Sequence, residues 1–143
     1  MSARSVFLTI AATLTIGLSY AVATAQDGKT SWDGVYTEAQ ATRGAALWTD
    51  QCAKCHGADM TGGDAPSLVG SEFSGDSDDL SVGDLADRLR VSMPQDKPQS
   101  LSREQTADVV SAILKANRMP AGTTELPSQS ENLKQIKYKA NKP

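Results

Sequence analysis

Both cysteines and the only histidine of this chain fall within five consecutive residues, Cys52-Ala53-Lys54-Cys55-His56. A disulfide between them would close too short a loop to add much stability, because the gain grows with the loop constrained. A zinc site wants four ligands, and no other Cys or His exists to complete one. A thioredoxin-type redox pair belongs in a βαβ setting, which the helical pattern described below does not offer. The C-x-x-C-H spacing is instead the signature of covalent haem attachment. One helical turn presents both thiols to the vinyl groups of a single porphyrin, and the adjacent histidine is carried under the iron. Such a chain has to fold around a large apolar plate.

The rest of the composition fits that demand. The 143 residues suffice for one small domain. Only 5% of them are aromatic and 39% hydrophobic, a thin supply of bulky core material that a buried prosthetic group would supplement. Residues 1–25 read as a secretory signal. Arg4 supplies the positive start, Val6 to Ala23 is uncharged and mostly apolar, and Ala23-Thr24-Ala25 has the small-residue cleavage pattern. Thr9, Thr13, Thr15 and Ser19 make the stretch a poor membrane anchor. Cleavage after Ala25 would start the mature chain at Gln26, in the periplasm.

Charge is distributed unevenly. Gln26 to Leu133 holds 9 basic and 17 acidic residues, a net of −8, whereas Lys134, Lys137, Lys139 and Lys142 crowd the last ten positions without an acid. An acidic globule argues against nucleic acid as a partner. The lysines read most simply as a solvated, mobile end. The sharper alternative is docking to an acidic redox partner or to anionic lipid headgroups, the only membrane contact the sequence suggests.

Three helices stand out. Thr37-Glu38-Ala39-Gln40 fits a capping box, with Gln40 reaching back, and opens a helix to about Gln51. Ser81 caps a second from Val82 to Ser92, with Val82, Leu85, Ala86 and Leu89 forming an apolar stripe. Ser102 with Gln105 opens a third, which runs through Val109, Val110, Ile113 and Leu114 to Asn117. Gly57 to Gly75 is glycine-rich and reads as loop. Met93 to Ser100, with two prolines, reads the same way. From Thr123 the chain is polar, with a short turn near Leu133 to Ile136. The expected fold is all-α.

What lies on the second iron face decides what the haem can do. Histidine is exhausted, so methionine is the natural ligand, and a Met/His pair raises the reduction potential. Met60 is too close to His56 to wrap around a haem edge. Met119, after the third helix, stays open. Met93 follows the second helix in a segment that Pro94 stiffens, which favours it over a mere gap-filling role.

The order of Cys-x-x-Cys-His, Pro66-Ser67-Leu68, Met93-Pro94 and a terminal helix resembles the class I cytochrome c domain, over roughly Trp32 to Leu126. The resemblance implies that Pro66 offers its carbonyl to the proximal histidine, that Leu68 borders the cofactor, and that Gly44 and Trp48 cross the last helix near Val110, Ile113 and Leu114. Trp32 to Thr37, Gln40 to Gly44, Val82 to Leu85 and Asn117 to Gly122 are similar to small cytochromes c associated with bacterial quinoprotein (PQQ-type) dehydrogenases. The resulting expectation is a cytochrome c fold with three main helices around one covalent haem c. Its parts are a signal (1–25), a leader loop (26–35), the haem domain (36–122) and a lysine-rich tail (123–143). Cys52, Cys55, His56, Pro66, Leu68 and Met93 would hold the cofactor, with His56 and Met93 on the iron and no acid–base catalytic residue. Electrons would come from a periplasmic or membrane-bound dehydrogenase and pass to a terminal oxidase or another cytochrome in the respiratory chain. A fixed subunit of a quinoprotein dehydrogenase and an open-site, ligand-binding or peroxidase-like haem protein remain as alternatives.

Overall fold

Thr37 ends the N-terminal segment in extended backbone, and its hydroxyl accepts from the Gln40 amide at 3.1 Å, starting helix α1 (Glu38–Gln51). The computed structural model describes residues 28–143, so the expected signal segment lies outside the described residues. Five helices follow: α2 (Ala53–His56), α3 (Gly70–Ser77), α4 (Val82–Ser92), α5 (Arg103–Ala116) and α6 (Ser130–Leu133). Among the described residues no strand forms, and only isolated bridges join Lys137 to Thr30 and to Ser81. The all-α expectation holds, with α1, α4 and α5 as its three long helices.

Helix α5 is the spine. It contributes Val109, Val110, Ile113 and Leu114, each fully buried, and α1 crosses it through Ala41, Gly44 and Trp48. The crossing is as close as backbones allow. A Cβ placed on Gly44 would lie 1.8 Å from the Asp108 carbonyl oxygen. Arg43 seals the crossing with a two-pronged hydrogen bond to Asp108, at 3.0 and 2.9 Å, and a third to Glu125 at 2.9 Å.

Helix α4 carries its own start signal. The Ser81 hydroxyl accepts from the Asp84 amide at 3.0 Å, and the Asp84 carboxylate accepts from the Ser81 amide at 2.9 Å. The Ser81 hydroxyl, donating to Asp84 Oδ2 at 2.7 Å, and the Ser81 amide together hold the Asp84 carboxyl below the usual carboxylate range. A depressed folded value stabilises above the unfolded carboxylate pKa of about 3.9 and loses its effect as pH falls through the folded value. Ser81→Ala should therefore cost about 1 kcal/mol at neutral pH, with the gap from wild type narrowing in strong acid. Guanidinium denaturation at pH 7 and pH 3 reads this out, and equal stability at pH 7 would refute it.

Three expectations need correction. Residues 70–77 are helical rather than loop. Gly70 has φ +89° and Val69 supplies no side-chain cap, so no local start signal exists; Phe73 is held instead by edge-on packing against Tyr138, with ring centres 5.9 Å apart. Gln40 does not close a capping box. Its amide is drawn to the tail, donating to the Leu126 carbonyl at 3.0 Å and accepting from the Leu126 amide at 2.7 Å.

The third correction concerns the tail itself. Leu126, Leu133, Ile136 and Tyr138 are buried. The chain at Ile136 to Lys139 threads between the leader and the start of α4: Ser31 donates to the Lys137 carbonyl, Lys137 to Lys29, Val82 to Ile136 and Tyr138 to Leu80, all at 2.8 Å. Helix α6 comes so close to Gly83 that a Cβ there would meet the Lys134 amide nitrogen at 2.8 Å. The lysines are engaged locally, Lys134 with Asp87 and Lys139 with Asp79. Sparse apolar residues spaced through polar chain were enough to dock the segment. The leader is likewise tied down, with the Trp32 indole donating to the Lys139 carbonyl at 2.9 Å.

Candidate haem site

Helix α1 ends where the motif begins. Cys52 caps α1 and starts the single turn of α2, so Cys52 and Cys55 emerge from one turn with His56 directly after them. The turn is pinned by backbone bonds from Cys55 and His56 to the Cys52 carbonyl, at 3.2 and 3.1 Å. Gly57 then reverses the chain with φ +79°, and its carbonyl accepts from the Trp48 indole at 3.0 Å. Trp48 packs its ring against the buried His56 ring, centroids 5.8 Å apart.

The loop after His56 is a compact coil folded back on the motif. Gly62 donates to the His56 carbonyl and Ala65 to the Cys55 carbonyl, both at 2.9 Å. This brings the Pro66 carbonyl oxygen to 2.8 Å from His56 Nδ1. A carbonyl only accepts, so Nδ1 is the donor, and in the neutral ring this leaves Nε2 as the nitrogen with a lone pair to offer. Asn117, at the end of α5, donates to the Leu68 carbonyl at 2.9 Å and fastens the loop to the spine.

A cleft of about 380 Å³ opens beside this turn. Cys52, Cys55, His56, Pro66 and Leu68 line it together with Leu89, Met93 and Pro94. Met93 is half-buried at the C-terminal cap of α4, its amide donating to the Leu89 carbonyl, and the following peptide bond is cis. All six predicted site residues thus border one cavity. Met60 and Met119 do not; both are buried in the core, and the Met119 carbonyl accepts from the Tyr36 hydroxyl at 2.6 Å. Leu89 and Trp48 were absent from the predicted set. Leu89 was within reach, because i and i+4 on a helix share a face and it stands four residues before Met93.

The donor set suits a covalently bound haem. Two thiols stand on one turn, the imidazole Nδ1 donates to the Pro66 carbonyl, and a thioether lines the same mainly apolar cleft. Burial pushes the Cys52 thiol up to about 11. It is therefore a neutral thiol at pH 7. No cluster of three His, Cys, Asp or Glu able to hold a metal ion occurs among the described residues.

Residues 39–132 match the family model of cytochrome c oxidase, cbb3-type, subunit III. The chain belongs to this cytochrome c family. A cytochrome c domain carries electrons by haem, and the cleft above is where this one would bind it. No curated protein matches the chain. Among solved structures, the sulfane dehydrogenase SoxCD from Paracoccus pantotrophus is similar, with a TM-score of 0.50 and 23% identity over 75% of this chain. The chain covers 61% of that protein's chain, and the likeness is one of fold. No helix of this cytochrome among the described residues is long and apolar enough to cross a membrane.

Proposed function

We propose that the protein is an exported, periplasmic single-electron carrier whose haem iron is closed on both faces by His56 and Met93. When bound, a c-type haem supplies a one-electron ferric/ferrous couple. Cys52 and Cys55 would hold it through thioethers, each thiol adding its sulfur and hydrogen across one vinyl group. The observation that carries the reading is that Met93 lines the same cleft as Cys52, Cys55 and His56, with the Pro66 carbonyl 2.8 Å from His56 Nδ1. That hydrogen bond fixes the ring and raises the basicity of Nε2. Leu68, Leu89 and Pro94 give the cleft apolar lining that would shield a bound haem. Neutral His and Met ligands suit an iron that changes charge without changing partners, and this favours transfer over catalysis. His56 is the only histidine, so a peroxidase would lack a distal imidazole for proton transfer. A dehydrogenase is the proposed donor and a terminal oxidase or another cytochrome the proposed acceptor.

The reading is tested on holoprotein released from the periplasm by osmotic shock. The reduced protein should show a low-spin spectrum that carbon monoxide leaves unchanged. Rapid carbon monoxide binding would sink the closed carrier, and absence from the periplasmic fraction would sink export.

A further inference from the structure

Two chain segments supply most of the cleft's lining, and little polar contact joins them directly. Segment 51–68 supplies the attachment turn and the Pro66 loop, and segment 89–100 supplies Met93 and the loop beyond it. Among the described residues one polar contact spans the two: Lys54 Nζ to Asp96 Oδ2 at 2.6 Å. Its ends are unlike. Lys54 lies between the two motif cysteines on a turn fixed by its own backbone bonds. Asp96 lies three residues past Met93 on a loop whose residues 95–100 are all exposed. Among the described residues its own backbone bonds are Lys97 to Pro94 and Ser100 to Lys97, between a buried Pro94 at one end and a buried Leu101 at the other. Such a segment, rich in exposed backbone and poor in buried contact, is where local opening is easiest.

We infer that the Lys54–Asp96 ion pair is a tether that holds the Met93 loop closed over the haem cleft. The inference rests on Met93 as the iron ligand for its spectroscopic consequence, but not for the tether itself. Lys54 is a positioning residue here. Lys54 and Asp96 both line the cleft beside Met93, and the pair acts by restraining the loop that carries the ligand. Both side chains are more than half exposed, at 61% and 51%, so the effect is modest and salt-sensitive. Exposed pairs of this kind shift a local equilibrium by roughly two- to fivefold.

Ferric holoprotein is titrated with imidazole, which competes for the position Met93 would leave. Lys54→Gln and Asp96→Asn should each bind imidazole two- to fivefold more tightly than wild type at low salt, with the difference fading at high salt. The swapped pair, Lys54→Asp with Asp96→Lys, should return towards wild type, which a merely structural role for either residue would not produce. Amide hydrogen exchange of residues 94–100 should quicken in both single variants and slow again in the swap. Faster exchange with unchanged imidazole binding would keep the tether and strike out Met93 as ligand. Unchanged exchange in the single variants, or a swap no better than either, would overturn the tether.

Discussion

Gly44→Ala should lower the melting temperature of the holoprotein by roughly 8 °C. Two effects compete, and their sizes decide the sign. Alanine in a helix interior is favoured over glycine by about 1 kcal/mol, so the α1 sequence alone predicts stabilisation. Against this, the new Cβ would stand 1.8 Å from the Asp108 carbonyl oxygen, 2.4 Å from its carbon and 3.0 Å from the Val109 nitrogen. All three are backbone of α5, so no side chain can turn aside. The two helices have to part along a contact that also buries Trp48. Overpacking of this kind reaches about 3 kcal/mol, which leaves a net loss of about 2 kcal/mol. At about 4 °C per kcal/mol for a domain of this size, thermal denaturation resolves it easily. A melting temperature equal to or above wild type would show that the crossing is looser than described.

Met93→Ala should turn a closed haem into an open one. If Met93 occupies the iron, an external ligand binds only to the minor state in which the methionine is away. Minor states of this kind are populated at about 0.1–10%, and apparent affinity falls by that fraction. Removing the side chain should therefore raise ferrous carbon monoxide affinity by about ten- to a thousandfold. The reduction potential should fall, since the thioether that raises it is gone. Met119→Ala, far from the cleft in the buried core, should leave the spectrum unchanged while lowering stability. An unaltered ligand-field spectrum in Met93→Ala would defeat the ligand assignment, and an altered one in Met119→Ala would redirect it.

Much of the site was legible because its information is local. The motif, the count of one histidine and the position of Met93 after a helix of readable period each lie within a few residues. The same holds for α4 and α5, whose Ser81–Asp84 and Ser102–Gln105 boxes are built from neighbours. Where local signals competed with distant partners, the reading failed. Gln40 could serve its own helix end or the tail, and only packing decided for Leu126. Helix α3 carries two glycines and no cap, and it forms because Phe73 has Tyr138 to meet. Nothing within residues 70–77 announces a partner more than sixty positions away.

The lysine-rich end shows the same limit in its charges. A count of four lysines in ten residues cannot tell a free patch from one already engaged. The fold sets Lys134 against Asp87 and Lys139 against Asp79, and inserts Tyr138 into the core. Exposed pairs like these contribute little stability singly; the buried apolar side chains and the backbone bonds to residues 29–31 and 80–82 hold the segment.

The haem motif is the part that sequence determined by itself. Cys52, Cys55 and His56 share one turn, and backbone geometry alone brings them together whatever the rest of the chain does. The rest of the cleft was decided only by tertiary structure. Met93 reaches the cleft because α4 packs on α5, and the Pro66 carbonyl meets His56 because the loop coils back onto the motif. Lys54 finds Asp96 across a gap of forty-two positions. Contacts between residues close in the chain are fixed by bond geometry, whereas distant ones exist only when burial of the core offsets the entropy of closing the loops between them.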